Sequence, residues 1–334
     1  MKKYNVAILG ATGAVGREMI KVMEERNFPI DTLKCLASKR SVGKVIPFMG
    51  KDIIVEEATK DSFEGMDFVL GAASNALARE LAPYITKAGA LFIDNSSSFR
   101  MDDNVPLVVP EINPEDAKKH NGIIANPNCS TIITLVAVNA LNKLSPIKSM
   151  IASTYQAVSG AGAAGPVELI DETSALAEGI DYEPKVFSHQ IAYNLIPKIG
   201  SGIENDYTTE EMKMQNEGRK IMHLPDLTVS CTCVRVPVVR SHSISVLVRL
   251  EDKVALSDVR DIIANAPGCK LVDDLNNNVF PMPIDTSDQD IVFVGRIRED
   301  LTDEKGVNIW CCGDQVRKGA ATNAIQIAEL FIEK

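Results

Sequence analysis

The sequence predicts an α/β protein in which a Rossmann-like, doubly wound N-terminal domain precedes an α+β domain with a mixed or antiparallel sheet. Over the first 128 residues, apolar runs alternate with helix-like stretches, as in a parallel sheet covered by helices. A glycine-rich turn joins the first apolar run to the first helix-like stretch. After residue 144 the runs become richer in Ser, Thr and Val, and some alternate with polar residues, as in strands with one covered face.

The length of 334 residues predicts two domains at roughly 150 residues each. We place the first domain at residues 1–128 and the second at 129–313, with a C-terminal helix within 314–334 that packs back on the first. Hydrophobic residues make up 45% and charged residues 24%, which excludes disordered and fibrous classes.

Charge and cysteine usage narrow the function classes. A formal net charge of −10 argues against non-specific nucleic-acid binding. The longest apolar runs, such as Ile132–Val138, are far shorter than the roughly 20 residues that span a bilayer, and no signal peptide is recognised. Seven irregularly spaced cysteines indicate free thiols. We therefore expect a soluble cytoplasmic protein that binds neither nucleic acid nor membrane.

The elements of the first domain follow from hydrophobic periodicity. The predicted strands are Asn5–Leu9, Thr32–Ala37, Ile53–Glu56, Phe68–Ala72 and Leu91–Asn95, and the predicted helices are Arg17–Glu25 and Ala76–Lys87.

The second domain begins with a long apolar helix, predicted over Ile132–Leu144. Its predicted strands are Met150–Ala157, Leu227–Val239, Ser243–Leu250, Val292–Arg298 and Asn308–Cys312, and Gly319–Ile332 is predicted as a final helix. The segment Pro184–Lys213 is rich in Gly, Pro, Asn and acidic residues, and we interpret it as a lid or a partner-contacting insertion.

The turn Gly10-x-x-Gly13-x-x-Gly16 predicts a pyrophosphate site. Gly10 allows a tight turn, Gly13 lets backbone amides approach the ligand, and Gly16 permits close helix–strand packing. The spacing differs from the usual GxGxxG fingerprint, so an ordinary glycine-rich turn is the alternative.

The end of the second strand predicts which dinucleotide binds. Ser38, Lys39 and Arg40 stand where NAD enzymes place an acidic residue for the ribose hydroxyls. A cation and hydroxyls suit a 2′-phosphate, which favours NADP. A solvated turn is the alternative.

Cys129 is the candidate nucleophile. Pro127 and Asn128 precede an apolar run, so Asn128 is a plausible N-cap and Cys129 lies in the first helical turn. The helix dipole there favours thiolate, and the same amides could hold an oxyanion. An inert core cysteine is the alternative. No His or Cys pattern completes a zinc site, so we predict no metal.

His242 is the strongest candidate base, at the start of an alternating strand, with a sheet-edge histidine as the alternative. Arg235 lies seven residues earlier, which in an unbroken strand would put the two on opposite faces. Pro237 makes a regular strand improbable there, so convergence stays open.

Further cations could hold an anionic substrate. The run Ser96–Arg100 offers hydroxyls and a guanidinium, and Glu210 and Lys213 share one helix face. For that last pair, spacing alone favours a solvated surface ion pair.

Taken together, the motifs resemble the aspartate-β-semialdehyde dehydrogenase family over the whole chain. The resemblance rests, in order, on Gly10–Gly16, Ser96–Arg100, Asn126–Thr131, Gln156, Ser159–Gly162, Glu210–Lys213, Arg235, His242 and Gly313–Gln315.

The resemblance implies roles for these residues. Cys129 would be the nucleophile that forms an acyl-thioester, His242 the acid/base and Gln156 the residue that positions the acyl group. The implied substrate-binding residues are Arg235 for the carboxylate, Glu210 for the amino group, Arg100 and Lys213 for the phosphate, and also Asn128. The implied NADP contacts, beside Gly10, are Thr12, Gly13, Ala14, Val15, Arg40, Ser41, Ser159, Gly160 and Gln315.

The implied reaction is NADPH-dependent conversion of L-β-aspartyl phosphate to L-aspartate 4-semialdehyde plus inorganic phosphate, in lysine, threonine and methionine synthesis. The second domain would be both catalytic and dimerising, in a homodimer or homotetramer. One alternative is an N-acetyl-γ-glutamyl-phosphate reductase-like enzyme, whose acylated substrate amine gives no reason for Glu210. The other is a non-catalytic NADP-binding paralogue, which would lack Cys129 or His242.

Overall fold

The computed structural model describes residues 2–333. Met1 and Lys334 lie outside the described residues. Lys334 is the last residue of the range 314–334 in which the C-terminal helix was predicted. The chain divides into two compact units. The first runs to Asn128 and resumes at Ala320, and the second is Cys129–Gly319.

The first unit is a doubly wound α/β unit. Its strands are β1 (Tyr4–Leu9), β2 (Ile30–Ala37), β3 (Val45–Phe48), β4 (Lys51–Glu57), β5 (Phe68–Gly71), β6 (Leu91–Asp94) and β7 (Ile123–Ala125). They form one sheet in the order β3-β4-β2-β1-β5-β6-β7, parallel except for the β3–β4 pair. The predicted Rossmann-like fold class is confirmed.

Two helices follow strands of this sheet, α1 (Ala14–Glu25) and α2 (Asn75–Lys87). A buried core forms around β1 and includes Ile8, Met19 and Leu70. Ile325, from the C-terminal helix Thr322–Glu329, is buried in the same core.

The second unit contains a mixed six-stranded sheet, as predicted. Its strands are β8 (Ile147–Gln156), β9 (Thr228–Arg235), β10 (His242–Leu250), β11 (Cys269–Leu271), β12 (Val292–Glu299) and β13 (Gly306–Gly313), in the order β11-β12-β13-β10-β8-β9. The β8–β9 and β11–β12 pairs are parallel, and the other pairs are antiparallel.

The helices of this unit are α3 (Cys129–Val138), α4 (Ala164–Ala177), α5 (Thr209–Met222), α6 (Leu256–Ala264) and α7 (Pro283–Thr286). The C-terminal helix Thr322–Glu329 is α8. Across residues 2–333, no helix combines the length and apolar character needed to cross a membrane.

Several predicted boundaries are wrong. The apolar helix begins earlier, at Cys129, and ends at Val138, where a 3₁₀ turn over Asn139–Lys143 tightens the chain before β8. The strand predicted over Leu227–Val239 ends at Arg235, because Pro237 has no N–H for the ladder. A π-helical turn over Arg317–Ala321 stands where the final helix was predicted to begin.

The end of the predicted lid is also different. Thr208 and Glu211 form a capping box, in which each side chain accepts the other residue's backbone N–H. Helix α5 therefore starts at Thr209, so the last five residues of Pro184–Lys213 belong to a regular helix.

Candidate active site

Cys129 and His242 lie together in the second unit. Cys129 is the first residue of α3 and is partly exposed, whereas His242 begins β10 and is fully buried. The Sγ of Cys129 is 3.5 Å from Nε2 of His242. A Cβ on Gly319 would lie 2.8 Å from the Cβ of Cys129, so the absence of a side chain at 319 makes room for the cysteine. The two residues predicted as nucleophile and acid/base are thus in contact.

A backbone hydrogen bond determines the tautomer of His242. The N–H of Ala157 donates to Nδ1 at 3.0 Å, so the neutral ring carries its proton on Nε2, the atom nearest Cys129. Burial, and secondarily the charge of Arg235, lower the pKa of His242 to about 3. The ring is therefore neutral at physiological pH and can donate a hydrogen bond to the sulfur.

Arg235 lies beside this pair. It ends β9 opposite Gln156 of β8, and its Nη1 donates to the Ala157 carbonyl at 2.7 Å. A Cβ on Gly160 would lie 2.8 Å from that Nη1 and 3.1 Å from Cε1 of His242, so the Gly160 backbone packs against both side chains. The break between β9 and β10 brings Arg235 and His242 to the same place, which one unbroken strand would not do.

A buried chain of polar side chains runs from β8 to α5. Thr154 Oγ1 donates to Gln156 Oε1 at 3.0 Å, and Gln156 Nε2 donates to Glu210 Oε1 at 3.2 Å. Lys213 Nζ donates to Glu210 Oε2 at 2.7 Å. Glu210 is 9% exposed, so this pair is not the solvated surface ion pair that spacing alone favoured.

Thr154 was missed by the sequence analysis. It is fully buried in β8, two residues before Gln156, so the two side chains share a face of the sheet. A polar residue two positions before a proposed catalytic amide is the signal that could have indicated it.

Three buried cysteines, Cys35, Cys311 and Cys312, differ in exposure from Cys129, which is partly exposed. Burial raises the pKa of Cys35 to about 11 and that of Cys312 to about 12, and it also raises the pKa of Cys311. These three residues are therefore neutral thiols at pH 7, which are poor nucleophiles.

The glycine turn in the first unit is sterically closed to side chains at two positions. Gly10 has φ +92°, and a Cβ there would lie 2.4 Å from the Ala72 carbonyl oxygen. A Cβ on Gly16 would lie 2.3 Å from the carbonyl oxygen of Gly10. Gly13 has extended backbone and caps α1, so Thr12, Ala14 and Val15 flank a helix N-terminus, where an anionic ligand is favoured.

The residues after β2 fit a 2′-phosphate. Lys39–Ser41 form a 3₁₀ turn in which Arg40 is exposed and Ser41 is buried. The hydroxyl of Ser41 lies 3.5 Å from that of Thr12, so this turn adjoins the glycine turn. With the helix N-terminus and the cation, these residues suit NADP.

Two further predicted cofactor contacts lie together in the second unit. Gln315 donates from Nε2 to the Ser159 hydroxyl, and its Oε1 accepts from the Ser241 backbone N–H at 2.9 Å. Ser159 Oγ in turn donates to the Val239 carbonyl at 2.6 Å. Gly160 follows directly in the chain.

Arg100 and Asn128 belong to the first unit. Both are buried, and Arg100 Nη2 donates to the Asn95 carbonyl at 2.7 Å. The described residues contain no group of three His, Cys, Asp or Glu side chains placed to hold a metal ion.

Comparisons with known proteins first define the class. Residues 5–120 match the family described as "Semialdehyde dehydrogenase, NAD binding domain". Residues 138–318 match "Semialdehyde dehydrogenase, dimerisation domain". The chain therefore has the two domains of a semialdehyde dehydrogenase.

Full-length relatives define the family. Aspartate-semialdehyde dehydrogenase of Aquifex aeolicus is 50% identical over 99% of this chain and 98% of its own, and that of Bacillus subtilis is 47% identical over 97% and 96%. The crystal structure of aspartate semialdehyde dehydrogenase II from Vibrio cholerae complexed with ASA is 44% identical, with a TM-score of 0.97, over 99% of this chain and 98% of that chain. The chain belongs to the aspartate-semialdehyde dehydrogenase family.

This membership confirms two predictions. The chain is an oxidoreductase, and its dinucleotide cofactor is NADP. The dimerisation-domain match supports a multimer, and the relative complexed with ASA supports a small-molecule substrate.

Proposed function

We propose that this chain catalyses the NADPH-dependent conversion of L-β-aspartyl phosphate to L-aspartate 4-semialdehyde and inorganic phosphate through an acyl-thioester on Cys129. The observation that carries this proposal is the contact between Cys129 Sγ, at the start of α3, and Nε2 of His242. The pathway is the synthesis of lysine, threonine and methionine, and the location is the cytoplasm.

Cys129 and His242 divide the chemistry between them. Cys129 attacks the acyl carbon as the thiolate that the start of α3 favours; a carbon–sulfur bond forms, the carbon–oxygen bond to phosphate breaks, and inorganic phosphate leaves. The cofactor, when bound, supplies the hydride for reduction of the thioester. Nε2–H of His242 then donates to the sulfur as it leaves, which stabilises the returning thiolate. Because Nδ1 is engaged by Ala157, His242 acts here as a donor.

The remaining side chains orient the substrate. Arg235 binds the α-carboxylate through its planar fork, and Gln156 positions the acyl group. Glu210 binds the ammonium group, and Lys213 binds the phosphate together with Arg100. The Glu210–Lys213 pair at 2.7 Å supports these roles. When the substrate binds, its ammonium group can replace Lys213 as the partner of Glu210, and its phosphate can replace Glu210 as the partner of Lys213. No buried charge is then left unpaired.

Each unit has its own task in this proposal. Residues 1–128 with the C-terminal helix bind NADP, with 2′-phosphate contacts from Arg40 and Ser41. Residues 129–313 are catalytic and form the interface of a homodimer or homotetramer. Exposed apolar side chains on one face of the mixed sheet, Ile151 and Tyr155 among them, suit such an interface. Light scattering at several protein concentrations gives the subunit number.

The test is NADPH formation from aspartate semialdehyde and inorganic phosphate, with N-acetylglutamate semialdehyde as the competing substrate. Cys129→Ser should lose at least a hundredfold in kcat, because no base is placed to activate a hydroxyl. NADP binding, measured by fluorescence titration, should be unchanged. A serine variant that retains more than about a tenth of the activity contradicts the thioester mechanism.

A further inference from the structure

The segment 185–196, part of the predicted lid, is attached to α4 through two buried carboxylates. Glu168 is 3% exposed and Glu172 is fully buried. Glu168 Oε2 accepts the backbone N–H groups of Lys185 and Val186 at 2.7 and 2.6 Å, and its Oε1 accepts that of Phe187 at 3.0 Å.

Glu172 attaches the segment a second time. Its Oε2 accepts the backbone N–H groups of Ile191 and Ala192 at 2.8 and 2.6 Å. The spacing i, i+4 puts Glu168 and Glu172 on one face of α4. A small apolar cluster surrounds the attachment: Val158, Leu169, Ile191, Ala192 and Ile196.

These contacts oppose opening of the segment. Five backbone N–H groups donate to two carboxylates, and such charge-assisted hydrogen bonds are roughly twice as strong as neutral ones. If the segment moved away from α4, Glu168 and Glu172 would both lose these donors. Loss of hydrogen bonds to buried carboxylates is costly, so the segment is held in place.

The attached segment contacts Arg235. The N–H of Ile196 donates to the Arg235 carbonyl at 3.0 Å, and the N–H of Arg235 donates to the Ile196 carbonyl at 2.9 Å. The Phe187 ring centroid lies 5.9 Å from the guanidinium carbon. The segment therefore touches both the main chain and the side chain of the proposed carboxylate-binding residue.

We propose that segment 185–196 is a fixed wall of the substrate site, and that Glu168 is a positioning residue that acts through Phe187 on Arg235. The ring limits the side-chain conformations that Arg235 can adopt. The guanidinium is therefore already oriented for the substrate carboxylate, and less conformational entropy is lost on binding. This inference rests on the proposed role of Arg235.

Glu168→Gln tests the wall. A glutamine keeps one carbonyl oxygen but turns an NH₂ group toward backbone donors, so at least one of the three hydrogen bonds is lost. Glu178→Gln, an exposed position at the end of the same helix, makes the same charge change and is the matched control.

Two readouts are measured on the full-length protein. Trypsin cleavage after the exposed Lys185 should be several-fold faster in Glu168→Gln, because local opening limits cleavage. The KM for aspartate semialdehyde should rise about three- to tenfold, the worth of one ordinary hydrogen bond, while kcat changes less than about twofold. Glu178→Gln should match the wild type in both.

Phe187→Leu provides the second variant if Glu168→Gln does not fold. It should raise KM by a similar factor, and its effect should largely disappear in an Arg235→Lys background, because both changes act on one guanidinium. Additive effects of Phe187→Leu and Arg235→Lys on KM would overturn the inference. So would an unchanged KM in both Glu168→Gln and Phe187→Leu when Arg235→Lys raises KM. An unchanged KM in Arg235→Lys itself instead contradicts the proposed role of Arg235, and the trypsin result then decides whether the segment is fixed.

Discussion

Two hydrogen bonds orient the Gln156 amide. Thr154 Oγ1 donates to Gln156 Oε1, so the NH₂ group faces Glu210. In the proposed reaction, this orientation lets the amide present an N–H donor to the acyl group. We therefore expect Thr154, together with Glu210, to keep the NH₂ end of the amide available to the substrate.

Thr154→Val should lower kcat about three- to tenfold, because valine keeps the shape of threonine but removes one of the two hydrogen bonds that orient the amide. Thr154→Ser keeps the hydroxyl and should retain most of the activity. Thr134→Val, at a fully buried position in α3, controls for loss of a core hydroxyl. Steady-state kinetics of the three variants decides the matter. Equal activity of the valine and serine variants at 154 would show that the hydroxyl has no positioning role.

We expect the preference for NADP over NAD to depend on Arg40. A guanidinium bound to a 2′-phosphate contributes roughly 1.5–3 kcal/mol, about ten- to a hundredfold in affinity. Arg40→Ala should lower kcat/KM for NADP by that factor and leave the value for NAD nearly unchanged. Lys39→Ala, the adjacent cation of the same exposed turn, is the matched control. An equal loss with both cofactors would mean that Arg40 does not contact the 2′-phosphate.

At the scale of single residues, the sequence was informative where a residue type is unusual in its setting. A cysteine at a predicted helix start and a histidine at a strand start indicated Cys129 and His242, which are 3.5 Å apart. Thr154 gave no such signal, because a threonine in a strand is ordinary. Its role depends on the neighbouring Gln156 side chain and on α5, which lies more than fifty residues away in the chain.

At the scale of elements, most errors arose where tertiary contacts override local pattern. Helix α4 was not predicted, although Pro166 lies in its first turn and Glu168 and Glu172 have helical spacing. The strand that ends at Arg235 was predicted to continue to Val239, because the whole run Leu227–Val239 is rich in Val, Thr and Ser. Pro237 argues against that continuation, and the pairing of β9 with β8 shows that the ladder stops at Arg235.

The π-helical turn Arg317–Ala321 is a second such case. The sequence favours a plain helix there, yet this turn carries Gly319 past Cys129 at close range. An alanine Cβ at 319 would lie 2.8 Å from the Cβ and 3.2 Å from the Cα of Cys129. The obstacle is at the backbone of α3, so it cannot be relieved by a rotamer change.

Gly319→Ala should therefore move the sulfur away from His242. A displacement of about 1 Å can cost up to a hundredfold in rate, and we expect at least tenfold in kcat. Inactivation by iodoacetamide should slow as well, since the sulfur loses the Nε2–H donor. Gly218→Ala in α5, where the nearest neighbour of a new Cβ is a leucine methyl at 3.4 Å, should leave both rates unchanged. Wild-type inactivation kinetics in Gly319→Ala would contradict this account.

At the scale of the whole molecule, the fold places a neutral histidine in the interior and thereby couples stability to pH. His242 is fully buried, and its pKa of about 3 lies far below the ordinary value of 6.5. Between pH 6.5 and about 3, the unfolded chain binds a proton at this ring and the folded chain does not. The free energy of unfolding therefore falls as the pH falls through this window, and the contribution is fully present above pH 6.5.

The loss should approach about 1.4 kcal/mol per pH unit below 6.5, the limit for one proton. Urea unfolding between pH 5 and 7.5 measures it, and the single tryptophan, Trp310 in β13, reports on the second unit that holds His242. His242→Gln should reduce the pH slope by nearly one proton, whereas His189→Gln, at an exposed position, controls for loss of a histidine. Protein concentration is held constant, because a multimer's stability depends on it. If His242→Gln and the wild type lose stability in parallel as the pH falls, then the pKa of His242 in the folded protein is close to its ordinary value, and burial does not hold the ring neutral below pH 6.5.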